Sequence, residues 1–172
     1  MIVPPLEPAP SLVPPPGTAV PHARPFAMRL VASADGVSRT VAHVSNVEYV
    51  RWLDRAAELH CDALGWSRER MAAGGHMWFV ARHEVDYRAE AFPGDELHVF
   101  TWVRTLGRST SWRDTLVLRA GAGTVVCSAS TLWAFVDLAT RRPARIPPEI
   151  RAALEPLEAA CTSRSSSTPN GS

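Results

Sequence analysis

Residues 46–64, NVEYVRWLDRAAELHCDAL, repeat apolar side chains at three- and four-residue steps, whereas residues 77–87, MWFVARHEVDY, alternate at every second residue. In the first run Val47, Val50, Leu53, Ala57, Cys61 and Leu64 share one face of a 3.6-residue period, which predicts a single amphipathic helix. Asn46 is suited to cap its start and Gly65 to end it. In the second run Met77, Phe79, Ala81, His83, Val85 and Tyr87 fall on one side, the period of a strand. Between them SRERMAA at 67–73 reads as a short helix.

Outward from this pair, FAMRLVAS at 26–33 reads as a strand before the helix. Three further strand-like segments follow: ELHVFTWVRTL at 96–106, STSWRDTLVLRA at 109–120 and TVVCSASTLWAFVD at 124–137. The breaks PGD at 93–95, LGR at 106–108 and GAG at 121–123 are turn-forming by composition. One long helix after a first strand, then strands joined by short turns, predicts an α+β fold in which the helix packs on a five-stranded antiparallel sheet. Trp78, Phe100, Trp102, Trp112 and Trp133 are spread over several strands, more apolar surface than one helix covers, which predicts a homo-oligomer.

The chain has 172 residues and is 46% apolar, enough for one domain with a real core. Nine of its 15 prolines lie in the first 25 residues, where fixed φ and missing amide donors predict a disordered arm over 1–25. The polar end, 158–172, reads as a disordered tail, leaving 26–157 as the domain. All 18 basic residues are Arg and are balanced by 17 acids for a net charge of +1, which excludes a strongly basic nucleic-acid binder. Cys61, Cys127 and Cys161 are odd in number and form no CxxC pair, so neither a disulfide framework nor a zinc site is expected, and a cytoplasmic setting is. No run of 18 or more apolar residues suggests a membrane span. GxxxxGK[ST], GxGxxG and GxSxG are all missing, so phosphate-loop, dinucleotide-binding and α/β-hydrolase readings have no support.

The segment from His43 to Asp54, HVSNVEYVRWLD, resembles the G-H-V-N-N-x-x-Y-L-R-W-x-E signature of hotdog-fold acyl thioesterases of the 4-hydroxybenzoyl-CoA thioesterase type. Val85 to Leu97, VDYRAEAFPGDEL, is similar to that family's Y-x-x-P-x-x-x-G-D-E-L strand and turn, and Phe135 to Pro147, FVDLATRRPARIP, to its closing strand V-D-x-x-T-x-R-P-x-x-x-P. The resemblance implies a single hotdog domain, active as a homodimer or homotetramer with sites between subunits. It also implies hydrolysis of a thioester carried by coenzyme A or by an acyl carrier protein, with no metal or redox cofactor. The start of the long helix suits that chemistry, since free backbone amides near Val44, Ser45 and Val47 can take up a developing oxyanion. The chain departs from the pattern where the family carries an Asp four residues before its His. Arg39 stands there, and Ala42 replaces the Gly. Asp35 lies four residues further upstream; otherwise the chain resembles acid-less hotdog thioesterases of some polyketide pathways.

His43 is the leading catalytic candidate, as general base or hydrogen-bond donor. Asn46 can orient water or the carbonyl, Tyr49 can hydrogen-bond the acyl group, and either Arg39 or Asp35 can supply the missing charge. Asp54 and Glu58 read as a solvated helical face paired with Arg51 or Arg55. His60 and Cys61 project about 100° apart on a helix and do not form a nucleophile pair. Arg88, Arg104 and Arg108 are candidates for the phosphates of coenzyme A or the acidic face of a carrier protein. Two other classes fit the same fold: a catalytically silent acyl-thioester-binding protein, and a dehydratase acting on a 3-hydroxyacyl thioester.

Overall fold

The helix expected from the apolar period runs over Asn46–Ala63 (α1) in the computed structural model, which describes residues 6–38 and 40–157. Its end is a Schellman motif: Gly65, at φ +77°, donates its N–H to the Asp62 carbonyl at 2.9 Å, and the Trp66 N–H reaches the Cys61 carbonyl at 2.8 Å. At the other end the cap is Ser45 rather than Asn46, and the Ser45 side chain makes no capping bond. The buried stripe is Tyr49, Trp52, Leu53, Ala56 and Ala57, while Val47 is 60% exposed. The helix is thus rotated from the face marked by Val47 and Val50, because burying Tyr49 and Trp52 removes far more apolar area from water than burying valines.

The strands are Glu7–Pro8 (β1), Phe26–Val31 (β2), His76–Tyr87 (β3), Glu96–Leu106 (β4), Thr110–Arg119 (β5) and Val125–Asp137 (β6), with short helices Arg68–Ala73 (α2) and Pro148–Ala153 (α3). They form one antiparallel sheet in the order β1-β2-β4-β5-β6-β3. The α+β class and the helix on a sheet agree with the sequence, but the sheet has six strands instead of five. In β3 strict alternation also fails, since Val80 pairs with Trp133 and Arg82 with Leu132, leaving Ala81 as a bulge.

On the inner face α1 lays Tyr49, Trp52 and Ala56 against Leu97, Val99, Val117 and Cys127. On the outer face Leu12 and Val20 pack against Phe100, Trp102, Leu116 and Leu118. The Pro-rich segment expected as a disordered arm therefore supplies the sixth strand and covers part of the outer face. Proline is tolerated there because an edge strand needs only one side paired, and the Ala9 N–H donates to the Ala27 carbonyl at 2.8 Å. Leu6 is 6% exposed. Leu6→Ala is expected to cost about 2 kcal/mol in urea unfolding, the low end for a buried leucine. A cost near zero would return the segment to an unpacked arm. The expected tail over 158–172 lies outside the described residues, as does Arg39.

Candidate active site

Two chain segments meet at the start of α1. Residues 36–38 and 40–45 precede the helix and 88–95 follow β3, and the Val44 N–H donates to the Ala91 carbonyl at 2.8 Å, locking Val44 and Ala91 side by side. The first segment folds on itself through the Ser38 N–H to the His43 carbonyl at 2.8 Å, and the Ser45 N–H to the Gly36 carbonyl at 2.8 Å ties it to the helix. Gly36 is needed there: a Cβ would sit 2.3 Å from Glu48 Cγ. The second segment is anchored by Arg119, which donates to the Glu90 carbonyl at 2.6 Å and pairs with Asp95 at 3.0 Å.

This clamp places the imidazole of His43 3.0 Å from the Glu90 carboxylate, Nδ1 to Oε1. A carboxylate only accepts, so Nδ1 carries the proton and Nε2 keeps a lone pair free to take one. The pair borders an open hollow lined by His43, Val44, Asn46, Tyr49, Tyr87, Arg88 and Glu90. Asn46 and Val47 are the first residues of α1, and among the described residues neither backbone N–H has a partner. Asn46 lines the hollow with His43, which brings the positive end of the helix dipole to the imidazole, and Val47 is the next residue of the same first turn. Tyr49 is buried, with its ring 4.8 Å from Trp52 and 5.2 Å from Tyr87. Burial, and then the nearby Cys127 thiol, push its hydroxyl up to about 12, so it remains a protonated donor.

The structure brings His43, Asn46 and Tyr49 to one hollow and leaves other candidates elsewhere. Asp35 belongs to a single 3-10 turn, Ala34–Gly36, where its amide is capped by the Ser33 hydroxyl at 3.1 Å; it does not line the hollow. Val44 and Ser45, expected as oxyanion donors, already donate to Ala91 and Gly36, so the open amides are those of Asn46 and Val47. Asp54 pairs with Arg68 at 2.8 Å and Glu58 with Arg55 at 2.6 Å, structural roles in both cases. The three arginines do not converge. Arg88 follows Tyr87, in the row of Cys127, Val117 and Val99, whereas Arg104 and Arg108 belong to the far end of β4 and its turn. Arg104 is occupied by Asp114 at 3.5 Å and by the Trp112 ring.

Glu90 is the residue that sequence reasoning missed. It lies 47 residues from His43, and nothing local marks it out from the other acids of VDYRAEAFPGDEL. Only the pairing of the two segments makes it the missing carboxylate.

Residues 40–154 match the Thioesterase-like superfamily. The chain is 32% identical over 111 residues to a palmitoyl-acyl carrier protein thioesterase, chloroplastic, of Gossypium hirsutum, covering 61% of this chain and 27% of the relative. It is 33% identical over 102 residues to the protein of the same name in Arabidopsis thaliana, covering 59% of this chain and 24% of the relative. The chain thus spans about a quarter of the length of these curated relatives. The fold is similar to the crystal structure of a 1,4-dihydroxy-2-naphthoyl-CoA thioesterase from Synechocystis, with a TM-score of 0.71 at 17% identity over 78% of this chain and 98% of that one.

Proposed function

Because the chain belongs to the Thioesterase-like superfamily, we propose that it hydrolyses an acyl thioester of coenzyme A or of an acyl carrier protein at the hollow beside His43. The observation that carries this is the His43–Glu90 pair set against the open amides of Asn46 and Val47. Nε2 of His43 takes a proton from water as the oxygen attacks the carbonyl carbon. The carbonyl oxygen, now negative, is received by the two N–H groups at the helix start. Collapse of the tetrahedral intermediate breaks the carbon–sulfur bond, and the imidazolium returns the proton to the departing thiolate. Glu90 holds the ring in the tautomer that leaves Nε2 free and offsets its transient positive charge. Arg88 lines the hollow and meets a phosphate of the carrier arm by exchanging its exposed partner Asp86, 2.9 Å away.

The names of the curated relatives favour an acyl carrier protein as carrier. Thiol release from matched acyl-coenzyme A and acyl-carrier-protein thioesters tests the function and separates the carriers. Binding without thiol release from either would replace this reading with the silent binder, and loss of water from a 3-hydroxyacyl thioester with the thioester intact would replace it with the dehydratase. A cytoplasmic setting is supported by the free thiols of Cys61 and Cys127.

A homodimer, or a homotetramer built from it, belongs to the same proposal. Strand β3 ends the sheet with Phe79 42% and Val80 38% exposed, an apolar edge suited to pairing with a second copy. Substituting Asp at both positions is expected to shift sedimentation from dimer to monomer. A wild type that sediments as a monomer at micromolar concentration would remove the proposal.

A further inference from the structure

The Glu90 carboxylate meets His43 although little holds its side chain. It is mostly exposed, and among the described residues His43 is its one partner. A long side chain without packing samples several rotamers, so its aim has to come from the backbone that carries it. That backbone is pinned on both sides. The Arg88 and Ala89 N–H groups donate to the Val126 carbonyl at 2.9 and 3.2 Å, and the carbonyl of the fully buried Ala91 accepts from Val44. Between these two points the Glu90 carbonyl has one donor among the described residues, Nη2 of Arg119 at 2.6 Å.

Arg119 is itself fixed at both ends of its side chain. It closes β5, where its N–H donates to the Thr124 carbonyl at 2.9 Å and its carbonyl accepts from the Gly123 N–H at 3.0 Å. Its Nε and Nη2 both reach Asp95 Oδ2, at 3.3 and 3.0 Å, and the same oxygen accepts from the Phe92 N–H at 3.0 Å. Asp95 is held in turn, since its carbonyl accepts from the Ala32 N–H at 2.9 Å. One guanidinium thus ties the end of β5 to Glu90 and Asp95 together. A flexible ammonium would fix a point, whereas the planar fork fixes a direction. A partly exposed ion pair of this kind adds little to folding, which leaves aim as the main thing the fork supplies. Arg119 does not line the hollow, so it acts through Glu90 and not on the substrate.

We propose that Arg119, braced by Asp95, is a positioning residue that sets the Glu90 carboxylate against His43 Nδ1 and so keeps the proton on that nitrogen. Its kinetic consequence rests on thioester hydrolysis at the hollow, but the tautomer of His43 reports it without turnover, so the two readings fail separately.

A double-mutant cycle in the full chain tests it. Arg119→Met keeps the apolar stem and removes the fork, and it is expected to lower kcat by about five- to tenfold, no more than the loss of Glu90 itself, with KM within about twofold. On a Glu90→Ala background the same change is expected to cost less than about twofold, because no carboxylate is left to aim. Should Arg119→Met fail to fold, Arg119→Lys, which keeps the charge and loses the planar fork, carries the same cycle with an expected loss of about threefold. Equal losses on both backgrounds would overturn the proposal and make Arg119 a structural brace. Nitrogen NMR of the imidazoles at about pH 8, above the ordinary histidine value, is the readout that needs no substrate. Wild-type His43 is expected to carry its proton on Nδ1, and Arg119→Met and Glu90→Ala are each expected to move it towards Nε2. His60, whose Nδ1 accepts from Arg113 at 2.7 Å, is expected to keep its signals. A His43 tautomer unchanged by Arg119→Met overturns the proposal even where the wild type hydrolyses thioesters. A tautomer that moves in a protein that releases no thiol supports it and removes only the hydrolytic reading.

Discussion

His43→Ala is expected to lower kcat for thioester hydrolysis by about 10²- to 10⁴-fold, the contribution of a positioned general base, with KM little changed. His43 acts by taking the proton of the attacking water, so its loss acts on the transition state more than on binding. Glu90→Gln keeps the shape and removes the charge. Its carboxylate is 62% exposed, so solvent weakens its field and the loss is expected to be about tenfold, near the worth of one hydrogen bond to a charged group. Because the two side chains act as one unit, the double variant is expected to be no slower than His43→Ala alone. Unchanged kcat in both single variants would make the pair structural and leave Asp35 and Arg39 to be tested next.

Acid is expected to unfold this protein more readily than its surface carboxylates require, through His60. Burial first, and then the neighbouring Arg113 and His22, hold its imidazole at about 2 against an ordinary value of 6.5. Above 6.5 the ring is neutral in folded and unfolded chains alike, and the contribution to stability is complete. Below that value the unfolded chain takes up a proton that the folded chain refuses, so stability falls from pH 6.5 towards pH 2 at about 1.4 kcal/mol per unit. Between pH 6.5 and 4.5 the wild type is expected to lose about 2 to 3 kcal/mol more than His60→Gln, whose amide oxygen still accepts from Arg113 but does not titrate. Urea unfolding across that interval checks it, and parallel stability curves for the two chains would sink the idea.

What could be read from residues alone was what local pattern encodes. The change of period after Gly75 separates helix from strand, and the turn residues at 93–95 and 121–123 divide the meander, so β3 to β6 fall where their periods and breaks set them. The rotation of α1 was not legible, because alternative apolar stripes share the same period and only the sheet beneath selects Tyr49 and Trp52. The sixth strand was hidden because proline argues against pairing in general, though not on an outer edge. At the site, His43, Asn46 and Tyr49 were visible through the signature they share. Glu90 and the occupied amides of Val44 and Ser45 depend on contacts between segments far apart in sequence, which no spacing displays.

The position of β3 at the far side of β6 also governs the order in which the chain can fold. Tyr87 must wait for Cys127 and His76 for Asp137, partners made some 40 to 60 residues later. At about 5–20 residues per second of synthesis, β3 emerges and stands unpaired for roughly 2 to 12 s, while β4, β5 and β6 close locally as soon as each is made. During that interval its exposed apolar pair is the chain's natural target for a chaperone or for a neighbouring nascent chain. The Arg82–Glu84 and Asp86–Arg88 charges that follow along the strand act as guards against misassembly well before they border any finished surface.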